Sequence, residues 1–98
     1  MANASHTRFS SVTIDAASRT PIPASVACRA VVLRNADLTN DCTIYDADSG
    51  GSGITLSAGA ERRFGVESRT GAYFAADDVV VWATAASGTG PITVEHVL

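Results

Sequence analysis

The sequence contains no lysine and no glutamine, and three Phe, two Tyr and one Trp are its whole aromatic content. All seven basic residues are therefore arginine, and against ten acids they leave a formal net charge of -3. Phosphate binding needs a net basic face, so nucleic acid is excluded as the main partner. Long apolar runs are also missing. The longest, Val79 to Ala83, falls far short of the ~20 residues of a membrane-spanning helix, so a soluble chain without a membrane partner is expected. The opening residues, Met1 to Arg8, lack the basic start and apolar block of a secretory signal, and synthesis in a cytoplasm is the corresponding expectation. Cys28 and Cys42 are too few and too far apart for a CxxC redox or zinc motif, and neither His6 nor His96 lies near them in sequence. They are expected as free, buried thiols, and no cofactor is implied.

What is present is mostly small. Of the apolar residues, 17 are Ala, and the bulk comes from ten Val, five Ile, four Leu and the aromatics. A chain of 98 residues forms one domain with a modest core. Turn-forming residues recur about every ten positions, and between them β-branched residues alternate or cluster without helical spacing. The pattern predicts strands at Phe9–Ile14, Val26–Arg34, Cys42–Ala47, Gly53–Gly59, Glu61–Val66, Ala72–Ala75, Val79–Thr84 and Ile92–Leu98. The fourth and fifth of these runs, around Ile54 and Phe64, read as a hairpin. Arg19-Thr-Pro-Ile-Pro23 reads as a break, because each Pro removes a backbone donor. Val79–Thr84, the most hydrophobic run, is expected at a central position. Eight short strands without a convincing helix predict an all-β fold, a single antiparallel β-sandwich or jelly roll. The expected core comprises Val12, Ile14, Val32, Ile44, Leu56, Phe64, Val80 and Trp82. Residues 1–11, polar apart from Phe9, are expected as a flexible arm ahead of a sandwich spanning 12–98.

The residues that carry chemistry do not assemble into a catalytic set in sequence. Asp46-Ala-Asp48-Ser-Gly50-Gly51 starts like a calcium loop, but its fifth position is glycine and its twelfth, where a closing Glu belongs, is Ser57. A turn rich in Asp, Ser and Gly is the reading adopted, and Asp77-Asp78 is read as a turn as well. Both histidines lie near chain ends, a poor setting for preorganised chemistry, and no nucleophile elbow or phosphate loop occurs. The chain is read as a non-enzyme. One basic cluster remains, Arg62-Arg63 with Arg69. Adjacent strand residues face opposite sides, so one of Arg62 and Arg63 is expected in solvent and the other at a rim or paired with an acid. Arg8, Phe9, Arg62, Arg63 and Arg69 are the candidate partner-binding residues, with Phe9 as an apolar anchor and the arginines for an acidic partner surface.

Three segments, Cys28-Arg-Ala-Val-Val-Leu-Arg-Asn35, Gly53-Ile-Thr-Leu-Ser-Ala-Gly59-Ala and Ala72-Tyr-Phe-Ala-Ala, together resemble the small all-β virion proteins of tailed bacteriophages. In that group a strand ending in Asn, a Gly-Ile-x-Leu-x-x-Gly segment and a later aromatic strand recur in one sandwich of about a hundred residues. The resemblance covers roughly residues 26 to 85. It implies a capsid decoration, or cement, protein on the outside of an icosahedral head, bound to the major capsid protein and associated as a homotrimer. A tail or connector protein and a glycan-binding sandwich are the alternatives. The glycan reading requires aromatic side chains exposed together on one face.

Overall fold

The computed structural model describes residues 7–66 and 71–98. Eight strands run in chain order: β1 (Thr7–Asp15), β2 (Thr20–Pro23), β3 (Ala30–Asn35), β4 (Cys42–Tyr45), β5 (Gly53–Leu56), β6 (Glu61–Gly65), β7 (Val79–Ala85) and β8 (Thr89–Val97). They form two four-stranded antiparallel sheets with the orders β1-β8-β3-β6 and β2-β7-β4-β5. The pairs β1·β8, β2·β7, β3·β6 and β4·β5 nest inside one another, and β8·β3 and β7·β4 close each sheet. The chain is thus one long hairpin, with its tip between Tyr45 and Gly53, rolled so that successive pairs fall in alternate sheets. This is the jelly-roll arrangement of the antiparallel sandwich.

Alternation along each strand decides what is buried. Ile14, Val31, Leu33, Ile92 and Val94 of the first sheet meet Ile22, Ile44, Leu56, Val81 and Ala83 of the second in one cluster. Ile14, Ile44 and Leu56 were expected there. Val12, Phe64 and Val80 are half-buried against it. Val32 is buried too, but its chain neighbours Val31 and Leu33 face the core, so Val32 is covered on the outer side of its sheet, in register with Arg63 and Glu95.

Several expected elements fall differently. Trp82 is not in the core: Val81 and Ala83 occupy the inward positions of β7, which turns Trp82 to the outer face, half-buried. Arg19–Pro23 does not stop pairing. Thr20–Pro23 is β2, an edge strand where Pro is tolerated, and it puts Ile22 fully in the core. The segments around Ile54 and Phe64 do not pair: β5 lies beside β4 in one sheet and β6 beside β3 in the other, so Ser57–Ala60 crosses between sheets. Ala72–Ala75 supplies only a bridge from Phe74 to Cys28, and the first part of Val26–Arg34 lies outside β3. Residues 7–11 are not arm but the first half of β1, because an edge position lets their side chains stay wet while the backbone pairs with β8. Residues 1–6 lie outside the described residues. β7 sits between β2 and β4, the central position its hydrophobicity predicts.

Candidate functional site

Four of the five residues singled out in sequence can be located, and Arg69 lies outside the described residues. The register β1·β8·β3·β6 lays Phe9, Glu95, Val32 and Arg63 in one row, with Ser11, Thr93, Arg34 and Glu61 in the next. Phe9 is 70% exposed on this outer face. A shallow groove of about 210 Å³ runs beside it, floored by Val32 and walled by Arg34, Glu61, Thr93 and Glu95. Phe9 and Arg63 therefore share a surface.

Arg8 and Arg62 point elsewhere. Arg8 is opposite His96 on the other side of β1. Arg62 borders a cleft of about 170 Å³ with Tyr45, Asp46, Ile54 and Phe64, its guanidinium carbon 5.9 Å from the Phe64 ring centre. Both Arg62 and Arg63 are exposed on β6, an edge strand, and Arg62, in register with the core residue Leu33, lies at the rim of the sheet.

The outer face of the second sheet holds a constellation that the sequence did not reveal. Pro21, Trp82, Tyr45 and Gly53 are register neighbours across β2, β7, β4 and β5, and Thr84, Thr43 and Thr55 form the adjoining row. A Cβ on Gly53 would come within 2.9 Å of the Tyr45 ring, so the glycine leaves room for that ring to lie over β5. Arg19 stacks on Tyr45 with its guanidinium carbon 3.6 Å from the ring centre. Its Nη1 also donates to the carbonyls of Ala47 and Gly50, at 2.8 and 2.7 Å, and so ties the hairpin tip to the loop before β2. Nothing local in the sequence links Arg19 to a loop about thirty residues away. The carboxylate of Asp46 accepts the Ser52 N–H at 3.0 Å, a turn-closing role that agrees with the loop reading of this segment.

His96 is 2% exposed within β8, not in a loose tail. Its Nε2 lies 3.0 Å from Ser10 Oγ, and its buried Nδ1 has no hydrogen-bond partner among the described residues. Burial, with the nearby Arg8 guanidinium, holds its pKa below the usual histidine value. The unfolded chain therefore takes up a proton more readily than the folded one. Stability is expected to be full above the ordinary histidine range and to fall as pH drops through about 6.5 and below. Urea midpoints from pH 8 to pH 5 check this, and His96→Phe should flatten the pH 5–7 part of the curve.

Cys28 and Cys42 are free and buried. Burial raises the pKa of Cys28; for Cys42, burial and then the charges of Asp41 and Asp37 push it up to about 11. Because the thiolate is the reactive species, alkylation of the native protein at pH 7.5 should be slow at both positions, and become complete in denaturant. Intact-mass analysis of labelled samples reads the result; rapid native labelling of either residue would contradict the burial.

A pocket of about 460 Å³ lies at one end of the sandwich between Cys28, Arg29, Gly71, Ala72 and Leu98. Its walls are mainly apolar, and the Arg29 Nε is engaged with the Leu98 carbonyl at 2.8 Å. No family model, curated protein or solved structure matches the chain.

Proposed function

We propose that this chain is a bacteriophage capsid decoration protein, which binds the outer surface of an icosahedral head and bridges major capsid subunits. The observation that carries the reading is the outer face of β1-β8-β3-β6. An exposed Phe9 stands beside an apolar floor at Val32, and Arg34, Glu61 and Glu95 ring it with both signs of charge. An apolar anchor within a polar rim is the anatomy of a protein–protein contact. The jelly roll agrees with this use, since viral capsid domains share the architecture, and the Cys28–Asn35 and Gly53–Gly59 segments supply the resemblance to phage virion proteins. A small face gives limited affinity, and attachment gains strength when several copies are linked.

Co-sedimentation with purified capsids tests the proposal. The protein should pellet with capsids and raise their heat resistance. Phe9→Ser should lose at least tenfold in occupancy while its circular dichroism stays unchanged, because Phe9 is outside the core. Absence of capsid binding, or full binding by Phe9→Ser, overturns it.

The Trp82–Tyr45 face favours a second reading, a glycan-binding module. Half-buried Trp82, on a face that also carries a row of threonine hydroxyls, offers stacking and hydrogen bonding to a sugar, the Tyr45 ring already being covered by the Arg19 guanidinium. Trp82 is the single tryptophan, so its fluorescence reports this face alone. A saturable change on titration with an oligosaccharide panel would support the glycan reading, and no change with any member would dismiss it.

A further inference from the structure

Two open sheets leave four edge strands, β1 and β6 in one and β2 and β5 in the other. Exposed edges are templates for pairing, and proteins blunt them with proline, brevity or charge. Three of these edges are blunted. β2 carries Pro21 and Pro23, β5 spans four residues, and β6 holds Arg62 and Arg63 side by side before Gly65 at a φ of 93°. β1 differs: it is nine residues long, contains neither Pro nor Gly, and has its single cation, Arg8, near its start.

The hydrogen-bond phase of β1 can be fixed. Just beyond the ladder, the Ala16 N–H donates to the Gly88 carbonyl at 2.9 Å. Alternation in an antiparallel pair then assigns Ser10, Val12 and Ile14 to bonding with β8, and turns the N–H and C=O groups of Phe9, Ser11 and Thr13 to the open edge. Among the described residues no backbone hydrogen bond joins these three to another element.

We infer that β1 pairs antiparallel with β1 of a second copy of this chain about a two-fold axis at Ser11. In that register Ser11 faces Ser11, and Phe9 faces Thr13 of the other copy, all through residues whose backbone groups point to the edge. The three central pairs exchange about six hydrogen bonds. Charge selects the direction. Arg8 and Asp15 stand near opposite ends of β1, so antiparallel docking keeps the two Arg8 side chains, and the two Asp15 side chains, at opposite ends of the paired strands, whereas parallel docking sets Arg8 beside Arg8 and Asp15 beside Asp15. Both copies then share one continuous sheet, β6-β3-β8-β1-β1-β8-β3-β6, whose outer face carries two Phe9 side chains. The assembly is isologous, in place of the three-fold association that the phage resemblance implies.

The inference does not rest on the proposed function, and its test needs no capsid. Size-exclusion chromatography with light scattering should give about twice the 10.1 kDa chain mass. Ser11→Lys and Ser11→Glu each place like charges opposite one another on the axis, and each should halve that mass with an unchanged circular dichroism spectrum. Mixing the two variants in equal amounts should restore the doubled mass, since Lys then faces Glu. A monomer or a trimer for the natural sequence at every concentration, or an undiminished dimer for Ser11→Lys, overturns the inference.

Discussion

Asn35→Ala is expected to lower the unfolding free energy by about 2–4 kcal/mol, a large share of the roughly 5–15 kcal/mol typical of a single domain. Asn35 is 2% exposed at the end of β3. Its Nδ2 donates to the carbonyls of Asn40 and Leu56, at 2.9 and 3.2 Å, and its Oδ1 accepts the Asp37 N–H at 3.2 Å. One side chain thereby holds the 36–41 loop to β3 and β5. Its backbone continues the same junction, donating to the Ala60 carbonyl and accepting from Gly59 N–H, each at 2.9 Å. Truncation leaves the Leu56 carbonyl buried without its partner, and that penalty exceeds the net worth of an ordinary hydrogen bond. Asn35→Asp separates shape from bonding. It keeps the acceptor but sets a carboxylate oxygen against two carbonyls, so at pH 7 it should destabilise at least as much as alanine. Denaturant midpoints of the two variants check both statements.

Gly65→Ala is the second large effect, about 2–4 kcal/mol. Gly65 has a φ of 93°, which side-chain-bearing residues rarely adopt, and a Cβ there would stand 2.5 Å from the Arg29 carbonyl oxygen and 3.0 Å from both Ala30 Cα and the Phe74 ring. The first two contacts are backbone atoms at the start of β3 and just before it, so relief requires β6 to move away from that backbone. Gly88→Ala is the control. It shares the positive φ, at 58°, but has nothing within 4 Å of the added carbon, and should cost no more than about 1 kcal/mol. Thermal unfolding should separate the pair clearly, since 1 kcal/mol moves the midpoint of a domain this size by about 4–8 °C.

The all-β class was legible because turn residues and β-branched runs alternate at short intervals, and the central place of β7 followed from its uninterrupted apolar stretch. Which face of β7 looks inward was not legible. Val80 and Trp82 are the bulkier alternate pair, but Ala83 fits against Ile44, its register partner, and leaves the large indole for the surface. The pairing of β5 and β6 failed for a different reason: a short glycine-containing connection between two strands has the same composition whether it closes a hairpin or arches from one sheet to the other. Proline hid β2, since a missing donor excludes the middle of a sheet but not its edge. The candidate site was legible in part. Phe9 stood out as a large apolar residue in polar surroundings, whereas its grouping with Val32 and Arg63 depends on β1, β8, β3 and β6 being neighbours. Arg19, Trp82 and the Ser10–His96 pair depend on equally distant parts of the chain.

The nested pairing also makes the roll reversible in a topological sense. Thr7 faces Val97 across the β1·β8 ladder, so a short linker can join the ends there, while exposed Gly50 and Gly51 at the hairpin tip offer a place to cut. Reading the permuted chain from β5 round to β4, β8·β1 becomes the new innermost hairpin and β4·β5 the new outermost pair. Renumbered from its new start, the sheet orders are again 1-8-3-6 and 2-7-4-5, with the two sheets exchanged. A circular permutant opened at the tip would therefore be a jelly roll of the same wiring, with new termini at the end of the molecule that now carries the Arg19-clamped loop.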